Sequence, residues 1–595
     1  MKTFTTPGEV AVDPGDNPVS ALVARAAEIP DFPALAVREG DEFVDVSISD
    51  FVDELLEVAA GLVALGIATG SRIALYCGTR MEFTVLDYAI WAAGCATTTI
   101  YETSSAEQVQ WIVGDSGSVA IFAETKEMGE TFESIKDRVP DCVHSFIIDE
   151  GAVPHLKSLA TDDSRSEVQR RIAAIRHVDL STLVYTSGTT GRPKGCELTH
   201  GNFTWNARQL EVILATLVGP GERQLMFLPL AHIFARLTQV TCITGGCQVG
   251  YSTGIPQLME ELPMFSPTWV FSVPRVFEKI FNGAKQRADA DGKGKIFDRA
   301  AAVAIAYSRG LQAGKVGMFT KLQHSLFDRL VYAKLRSATG GALSRAISGG
   351  APLGARLGHF FRGAGITVYE GYGLTETAAG ATVNNPDATK VGSVGRPIPG
   401  VSVRIADDGE VLIRGGNIFR GYWHNETATR EALEADGWFH SGDIGELDED
   451  GFLSITGRKK ELIVTAGGKN VAPAVLEDRI RGSAIVSQVM VIGDAQPFIA
   501  ALVSIDEETL PGWAAMNDKP SAALTDLLDD EDLHAAVQAA IDEGNKAVSR
   551  AEAIKAWRIL PEDLTIEGGE LTPTLKVKRE VVAKKYEGVI AEIYG

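Results

Sequence analysis

The chain contains 595 residues, of which 45% are hydrophobic and 23% are charged. This balance is typical of globular proteins and excludes a largely disordered, collagen-like or coiled-coil chain. The 78 acidic residues outnumber the 56 basic ones and give a net charge of −22, which repels phosphate backbones, so no nucleic-acid partner is expected. A local basic site can still bind an anionic small molecule. The length predicts about two to four structural units.

The sequence predicts a protein of a reducing compartment. Its six cysteines include no CxxC pair, so we expect buried, reduced thiols. The polar first 18 residues lack the apolar segment of a signal peptide. No apolar stretch approaches the ~20 residues that a membrane-spanning helix needs. We therefore expect a cytoplasmic protein, and peripheral contact with a membrane stays open.

The first 150 residues alternate between predicted helices and strands. Apolar spacing predicts helices over 50–66 and 82–93 and strands over 72–77, 95–101, 119–123 and 145–148. Such alternation favours an α/β fold with a parallel sheet. A polar stretch over 160–171 is interpreted as a connection to the strand-like run 181–186.

The pattern changes in the last quarter of the chain. Earlier, a charged loop is predicted over 289–295, a helix near 299–307, a loop-rich stretch over 382–403 and a strand over 411–413. After residue 460, short strands over 461–464, 488–492 and 498–505 mix with helices over 473–480 and 532–548. This mixture predicts a small α+β domain of about 135 residues at the end of the chain.

The sharpest motif is TSGTTGRPKG at residues 186–195. It follows a strand-like run, and its glycines allow backbone N–H groups to converge on a polyphosphate with help from hydroxyl groups and one lysine. It is not a Walker A loop, because the lysine follows proline and precedes glycine. The alternative is a flexible turn. The candidate phosphate-binding residues are Thr186, Ser187, Gly188, Thr189, Thr190 and Lys194.

Six further motifs follow in order along the chain. They are SGGAP at 348–352, YGLTET at 372–377, WFHSGD at 438–443, GRKKE at 457–461, GGKNV at 467–471 and PTLK at 573–576. Together with the glycine- and threonine-rich loop, this series resembles the adenylate-forming superfamily, which includes acyl-CoA synthetases, luciferases and the adenylation domains of peptide synthetases. The motifs span residues 182–580, whereas the first 150 residues carry none as specific.

The resemblance implies a fold and a two-step reaction. It implies a large N-terminal domain over 1–459 with parallel-rich sheets, which binds acid and ATP, and a small mobile α+β domain over 460–595 that carries the catalytic lysine. A carboxylate attacks the α-phosphate of ATP and gives acyl-AMP and pyrophosphate; a thiol then attacks the acyl carbon and releases AMP. Because both partners of the first step are anions, cations including Mg²⁺ must offset their repulsion.

The resemblance also implies roles for single residues. Glu376 is expected to be catalytic and to ligate Mg²⁺, with Thr375 near the α-phosphate. Lys576 is expected to hold the carboxylate and the α-phosphate together. His232, in the block LPLAHIF at 228–234, is expected to lie near both groups. Outside their motifs, these residue types are more often structural or solvated.

Nucleotide and acceptor sites follow from the same resemblance. Asp443 is expected to accept hydrogen bonds from the ribose hydroxyls with support from Arg458, and Lys460 is expected to be the hinge between the domains. The expected adenine-binding residues are Gly350, Ala351, Pro352, Tyr372 and Gly373, with Tyr372 stacked on the base. The expected path of the pantetheine arm of CoA passes Gly467, Gly468 and Lys469.

The acid pocket is identified from a further string, VPRVFEK at 273–279, which resembles long-chain acyl-CoA synthetases. The 69 residues from Lys279 to Ser348 also favour a long substrate. A long alkyl tail needs an apolar cavity, and the candidate wall residues are Trp269, Phe271, Val273 and Phe277. Many long-chain members carry an acidic residue where this chain has Ala235, so the chain departs from their pattern at this position.

We interpret the chain as a long-chain fatty acid–CoA ligase that uses ATP, Mg²⁺ and CoA on small-molecule substrates. A fatty acyl-AMP ligase that delivers to a carrier protein is the first alternative. A non-catalytic interaction protein on the same fold is the second, although the intact residues Lys194, Glu376, Asp443 and Lys576 argue against it. The sequence leaves the oligomeric state open.

Overall fold

The computed structural model describes residues 2–186, 192–520, 522–572 and 575–595. Elements in the first of these ranges alternate as the sequence predicts. They are β1 (Lys2–Thr5), α1 (Pro18–Glu28), β2 (Pro33–Glu39), β3 (Glu42–Ser47), α2 (Ile48–Ala64), β4 (Arg72–Tyr76), α3 (Met81–Ala92), β5 (Ala96–Ile100), α4 (Ala106–Ser116), β6 (Ser118–Ala123), α5 (Lys126–Glu133), β7 (His144–Ile147), α6 (Ala152–Leu159), α7 (Asp162–Ala174) and β8 (Leu180–Thr186).

Residues 192–458 continue this alternation and then turn to strands. Their elements are β9 (Lys194–Thr199), α8 (His200–Ile213), α9 (Ala215–Val218), β10 (Arg223–Met226), α10 (Ile233–Gly245), β11 (Gln248–Tyr251), α11 (Leu258–Phe265), β12 (Trp269–Ser272), α12 (Pro274–Ala290), α13 (Gly294–Gln312), α14 (Met318–Phe327), α15 (Ala333–Ala338), β13 (Arg345–Ser348), α16 (Ala355–Gly363), β14 (Thr367–Tyr372), β15 (Thr382–Val383), β16 (Arg396–Pro397), β17 (Ser402–Ile405), β18 (Glu410–Arg414), β19 (Gly421–Tyr422), α17 (Glu426–Ala432), β20 (Phe439–Leu447) and β21 (Leu453–Arg458).

The remaining residues form short strands and helices. Their elements are β22 (Ile463–Val464), β23 (Asn470–Val471), α18 (Pro473–Ile480), β24 (Val486–Ile492), β25 (Ile499–Ile505), α19 (Leu510–Met516), α20 (Leu524–Leu527), α21 (Glu531–Asn545), β26 (Ile554–Ile559), α22 (Arg579–Lys585) and α23 (Glu587–Tyr594). The 3₁₀ turn Lys459–Glu461 connects them to β21.

Two large sheets with parallel centres form most of the fold. In the described residues, the first sheet has the order β16-β15-β14-β13-β12-β10-β11-β2-β3, and the second has the order β19-β9-β8-β5-β4-β6-β7. The strands from β14 to β2 and from β8 to β7 pair in parallel, and the outer strands pair antiparallel. The predicted α/β class with parallel-rich sheets is therefore confirmed.

An antiparallel sheet completes the larger body. It has the order β1-β17-β18-β20-β21, and one continuous apolar core joins it to the two parallel-rich sheets. Within it, Asp443 on β20 lies opposite Arg458 on β21. The last strands of the larger body therefore bring two candidate site residues side by side.

A smaller α+β body follows, as the sequence predicts. Its sheet has the order β24-β25-β26. One apolar cluster joins this sheet to α18 and α21, and a second joins it to α22 and α23. Both clusters are separate from the core of the larger body. The smaller body therefore has apolar clusters of its own.

The stretch 160–171 differs from its interpretation as a connection. It forms most of α7, which begins after Thr161; the Thr161 hydroxyl accepts a hydrogen bond from the backbone N–H of Ser164. Only Val168 and Ile172 supply large apolar contacts with the core. A cap and a narrow apolar stripe are enough for a helix that packs against α2, and the polar composition conceals both.

Two expectations about compartment can be compared with the structure. All six cysteines are buried and make no disulfide. Among the residues that the structure describes, no helix combines the length and the apolar character needed to cross a bilayer.

Candidate active site

A cleft of about 2330 Å³ lies between the two bodies. It opens where β8, β13 and β14 end at Thr186, Ser348 and Tyr372, which is the edge at which parallel sheets bind ligands. Predicted residues that line it are Thr186, Lys194, His232, Trp269, Val273, Gly350, Ala351, Pro352, Tyr372, Gly373, Thr375, Glu376, Asp443, Arg458, Lys460 and Lys576. The fold therefore gathers residues from six of the seven motifs, together with His232 of LPLAHIF and Val273 of VPRVFEK, around one cavity.

Four candidate phosphate-binding residues lie outside the described residues: Ser187, Gly188, Thr189 and Thr190. Their neighbours are described. Thr186 at the end of β8 lies opposite Lys194 at the start of β9. The Lys194 ammonium stands 5.1 Å from the ring centroid of Tyr422. A cation thus stands at the base of the glycine- and threonine-rich loop.

Glu376 shares a hydrogen bond with the same tyrosine. The Tyr422 hydroxyl donates to Oε1 of Glu376 at 2.7 Å. Burial raises the pKa of Glu376, which the tyrosine hydrogen bond and the charge of Arg458 oppose. A carboxylate in such a site gains from a nearby cation, because the cation replaces the water that the carboxylate has lost.

Tyr372 and Arg458 hold the carboxylate of Asp443. The Tyr372 hydroxyl donates to Oδ2 at 2.6 Å, and Nε of Arg458 lies 3.3 Å from Oδ1. Burial raises the pKa of Asp443, and the charge of Arg458 opposes this. Each carboxylate oxygen keeps a lone pair for another donor. The hydrogen bond from Tyr372 carries no sequence signal, since the two residues are 71 positions apart.

Lys576 reaches into the cleft from the smaller body. Burial and the charge of Arg458 lower its pKa to about 8, against the opposite effect of Asp443 and Glu461. Its backbone N–H donates to the hydroxyl of Thr572 at 3.0 Å. The ammonium group therefore occupies a partly desolvated position among residues of the larger body.

His232 faces the same region and is neutral near pH 7. Burial and the charge of Lys576 lower its pKa to about 4. His232 precedes α10 as its N-cap residue, and its Nδ1 accepts a hydrogen bond from the backbone N–H of Phe234 at 3.2 Å. This contact assigns the remaining proton to Nε2, so His232 can donate a hydrogen bond to an anion.

A buried ion pair lies behind His232. Arg236 on α10 contacts Asp87 on α3 through Nη2 at 2.6 Å and Nε at 3.0 Å. Its Nη1 donates to the Thr182 hydroxyl on β8 at 2.6 Å. The pair thus joins the helix that follows His232 to the strand that leads into the phosphate-binding motif.

The surroundings of this pair are closed to water. The Thr97 hydroxyl donates to Oδ1 of Asp87 at 2.6 Å, and the guanidinium carbon of Arg236 lies 5.4 Å from the ring centroids of both Trp91 and Phe203. Burial raises the pKa of Asp87, and the charge of Arg236 opposes it. Sequence reasoning missed this pair; its only signal is an arginine on an apolar helix.

An apolar branch of the cleft runs along α8 and α10. Its walls come from Leu210, Leu214, Val218, Ile233, Phe234, Leu237, Thr238, Thr241, Trp269 and Val273. The hydroxyl groups of Thr238 and Thr241 donate to carbonyl groups one turn earlier in α10. These two threonines can therefore face an alkyl chain without an unsatisfied donor. Sequence reasoning missed the residues of α8 and α9.

Two of the four predicted wall residues lie elsewhere. Trp269 and Val273 line the branch, whereas Phe271 is covered by Phe234, whose ring centroid is 5.1 Å away. Phe277 packs edge-on against Phe361 and faces a separate small cavity. The alternation along β12 places Phe271 on the same side of the strand as Trp269. The ring of Phe234, however, occupies the space in front of Phe271.

Predicted CoA-path residues do not line the cleft. Gly467, Gly468 and Lys469 lie in the turn between β22 and β23, where Gly468 has a φ of +76°. The ammonium group of Lys469 pairs with Glu552 of the smaller body at 3.2 Å. In this arrangement of the two bodies, the turn is outside the space that holds Lys576.

Charged residues of VPRVFEK contact the smaller body instead of the acid pocket. Arg275 pairs with Asp506 at 2.5 Å, and Lys279 pairs with Glu508 at 2.8 Å. Nearby, Arg356 on α16 donates to the carbonyl group of a residue that follows α18. These contacts hold the arrangement in which Lys576 reaches the cleft.

Comparison with known proteins adds two family matches. The protein-family model described as AMP-binding enzyme matches residues 22–423. The model described as AMP-binding enzyme C-terminal domain matches residues 460–595.

Similar curated proteins are long-chain-fatty-acid–CoA ligases by name. FadD15 of Mycobacterium tuberculosis is 47% identical over 599 residues, which cover 100% of both chains. ACSBG1 of Homo sapiens is 32% identical over 609 residues, which cover 95% of this chain and 83% of that protein.

Solved structures share the fold. The adenylation domain of a carboxylate reductase from Mycobacterium chelonae matches with a TM-score of 0.76 and 21% identity, covering 98% of this chain and 92% of that one. A fatty acyl CoA synthetase of Mycobacterium tuberculosis matches with a TM-score of 0.63 and 24% identity, covering 96% and 99%.

The buried ion pair supports a stability prediction. Arg236→Met leaves the Asp87 carboxylate buried without a counter-charge, so we expect the free energy of unfolding to fall by about 3–5 kcal/mol. Adding Asp87→Asn removes the stranded charge and should recover part of this loss. Arg165→Met, which breaks an exposed pair with Glu57, is the control and should cost less than about 1 kcal/mol. Urea unfolding measures all four proteins, and a double variant no more stable than Arg236→Met would contradict the assignment.

Proposed function

The chain belongs to the family of AMP-binding enzymes, and we propose on that premise that it is a long-chain fatty acid–CoA ligase. The observation that carries the proposal is the approach of Lys576 to His232, Asp443 and Arg458 beside an apolar branch of the same cleft. An acid bound in that branch would present its carboxylate to the cations. The 47% identity to FadD15 over the whole chain supports the same activity.

In the first step a carboxylate oxygen of the fatty acid attacks the α-phosphorus of ATP. The bond from that phosphorus to the bridging oxygen breaks, and pyrophosphate leaves with its electron pair. Lys576 offsets the negative charge shared by carboxylate and α-phosphate, while Lys194 serves the phosphates that leave. Neutral His232 donates from Nε2 to a carboxylate or phosphate oxygen, which orients the acid without adding a charge.

A magnesium ion fits this site through Glu376. Mg²⁺ prefers oxygen ligands and is commonly held by one or two carboxylates together with the phosphates of a substrate. Burial disfavours the charged form of Glu376, and a hard cation would restore it. When bound, the ion supplies charge that shields the phosphates from the attacking carboxylate.

The nucleotide occupies the other arm of the cleft in this proposal. Asp443 accepts from the ribose hydroxyls, and the charge of Arg458 favours its carboxylate form against the effect of burial. Thr375 serves the α-phosphate. The adenine lies against Tyr372, whose ring is held because its hydroxyl is bound to Asp443. The remaining proposed contacts are Gly350, Ala351, Pro352 and Gly373, with Ser187, Gly188, Thr189 and Thr190 on the phosphates.

In the second step the CoA thiol attacks the acyl carbon and AMP leaves. We place the hinge at Lys460, so that the mobile domain comprises residues 460–595 and the N-terminal domain comprises residues 1–459. Rotation would withdraw Lys576 and bring Gly467, Gly468 and Lys469 to the cleft as the pantetheine path. A hinge needs only a few residues that absorb a backbone change.

The cellular setting is part of the proposal. Six buried, reduced thiols support a cytoplasmic location. Delivery of the acyl group to a carrier protein is the second candidate, since a carrier's pantetheine arm would use the same path. The partners are small-molecule substrates in either case.

Pyrophosphate release tests the proposal. The purified enzyme receives ATP, magnesium and acids from acetate to stearate, each with and without CoA. Release that peaks with long acids, together with acyl-CoA when CoA is present, is expected. Release without acyl-CoA would favour the carrier-protein acceptor, and no release with any acid would overturn an enzymatic role.

Lys576→Ala should separate the two half-reactions. Loss of the ammonium leaves the repulsion between carboxylate and α-phosphate unopposed, so we expect pyrophosphate release to fall by roughly 100-fold or more. Thioester formation from preformed acyl-AMP should change far less. Lys584→Ala removes an exposed lysine of the same segment outside the cleft and is the control. Equal loss in both half-reactions would remove the assigned role.

The pH profile tests the charge of the same lysine. Its pKa of about 8 means that the ammonium form dominates below pH 8 and is lost above it. We therefore expect kcat/KM for pyrophosphate release, measured without CoA, to decline above about pH 8, since this parameter reports the free enzyme. Lys576→Arg stays charged and should lose this alkaline decline, even at a lower rate. An unchanged decline in that variant would assign it to another group.

Gly467→Leu should slow the second step alone. A Cβ at this position meets nothing closer than the Thr465 hydroxyl at 3.9 Å, so the variant can fold, while its bulk narrows the proposed pantetheine path. We expect acyl-CoA formation to fall roughly 10-fold or more and pyrophosphate release to be retained. Gly588→Leu, at an open position on α23, is the control. Unchanged thioester formation would exclude this path.

A further inference from the structure

One segment displays a row of large apolar side chains to solvent. Four of them belong to α14, and the last belongs to the π-helical turn Asp328–Tyr332 that follows it. At ~100° per residue, the five lie within about a third of the helix circumference. This apolar stripe consists of Met318, Phe319, Leu322, Leu326 and Leu330, with exposed fractions of 80%, 70%, 66%, 56% and 50%.

The opposite face of the same segment is anchored. His324 stacks on Tyr307 with ring centroids 3.8 Å apart, and its Nε2 lies 2.6 Å from the carbonyl oxygen of Gly363. The Tyr332 hydroxyl is buried and donates to the carbonyl oxygen of Ala300 at 2.7 Å. These contacts fix the stripe outward, so its exposure is a property of the fold. Contiguous exposed apolar surface marks an interaction site.

The charge around the stripe is opposite to that of the chain. Residues 310–338 contain five basic residues and one acidic residue, a net charge of +4 in a chain of −22. The acidic residue, Asp328, is paired with Arg336 at 2.9 Å. The other four are exposed and form no ion pair with any residue that the structure describes; they are Lys315, Lys321, Arg329 and Lys334.

The stripe is separate from the acid pocket. Among the described residues that line the cleft, none lies between positions 279 and 346. The insertion that carries α13 and α14 therefore adds nothing to the wall of the apolar branch. Its outward face needs a different explanation.

We propose that the apolar stripe docks the protein on an anionic lipid bilayer, with α14 in the plane of the membrane surface. The five apolar side chains would enter the boundary between headgroups and acyl chains, and the lysine ammonium groups would remain among the headgroups. The local charge of +4 attracts anionic lipids, whereas the rest of the chain has a negative net charge, so approach through this face is favoured.

A second copy of the chain fits the stripe less well. A two-fold symmetric contact would set the same surface against itself. Four unpaired basic residues of one copy would then face four of the other, with no free carboxylate in residues 310–338 to compensate. A bilayer of anionic lipids satisfies both the apolar and the basic part of the surface.

The inference goes beyond the proposed function, and vesicle binding tests it independently. Large unilamellar vesicles of phosphatidylcholine with about one third phosphatidylglycerol are sedimented with the full chain at low salt. We expect the wild type to co-sediment, and Phe319→Ser/Leu322→Ser/Leu326→Ser to bind roughly 10-fold more weakly. Val143→Ser/Val178→Ser removes exposed apolar side chains elsewhere and should bind as the wild type does. Equal binding of the stripe variant and the wild type would overturn the proposal.

Charge-reversal variants test the contribution of the basic side chains around the apolar stripe. Lys321→Glu/Arg329→Glu should weaken binding several-fold and reduce its dependence on salt, because two attractive charges become repulsive. Lys126→Glu/Lys584→Glu makes the same change in net charge at exposed positions away from the stripe and should have a smaller effect. Equal effects of the two pairs would contradict docking through α14.

Two further measurements identify a different occupant or a failure of the function. If sedimentation velocity without lipid shows that the wild type is a dimer and the stripe variant a monomer, and vesicle binding is absent, the stripe is an interface between copies and the proposal is wrong.

Pyrophosphate release with a water-soluble acid such as octanoate should be the same in the wild type and the stripe variant. A wild type that binds vesicles but activates no acid would refute the proposed function and leave the docking surface standing.

Discussion

Electrostatic repulsion between two anionic reactants is the constraint on which the site depends. The chain carries a charge of −22, yet Lys194, Arg458 and Lys576 all line one cleft. Lys576 lies near Arg458 in a partly desolvated space. The desolvation and the charge of Arg458 both disfavour the ammonium form of Lys576 and lower its pKa to about 8. An anionic substrate between these cations would remove that penalty. In the cycle that we propose, closure of the smaller body would therefore be coupled to the charge of what the cleft contains.

The contacts between the two bodies are compatible with the domain rotation that we propose. Lys279 and Glu508 are largely exposed, and such pairs contribute little to stability. Arg275 and Asp506 are less exposed, but water would solvate both charged groups again if the two bodies separated. Each body keeps its own apolar core. The VPRVFEK motif, interpreted from sequence as part of the acid pocket, thus contributes its charged residues to the contact between the bodies.

Local pattern was sufficient for most elements and for the order of the motifs, and α18 coincides with its predicted bounds at 473–480. Contacts between distant segments were not predictable. The pairing of Arg236 with Asp87 depends on α10 crossing α3, and Phe271 is covered because Phe234 arrives from another segment. The helix α7 was missed because its composition is polar and its stability comes from a cap and a few core contacts. The sequence therefore identified the residues of the site better than the residues that contact them.

The length of the insertion between Lys279 and Ser348 predicts a long-chain substrate, but the insertion does not build the acid pocket. Its length favours a long-chain substrate by resemblance, but the apolar branch is built by α8, α9, α10 and β12 without it. Each buried methylene of an alkyl chain contributes about 0.8 kcal/mol, so a long acid partitions into bilayers as strongly as it enters a protein cavity. Under the docking that we propose, access from the membrane would matter for such an acid as well as the volume of the pocket. The membrane docking that we propose for α14 would provide such access without contributing to the cavity.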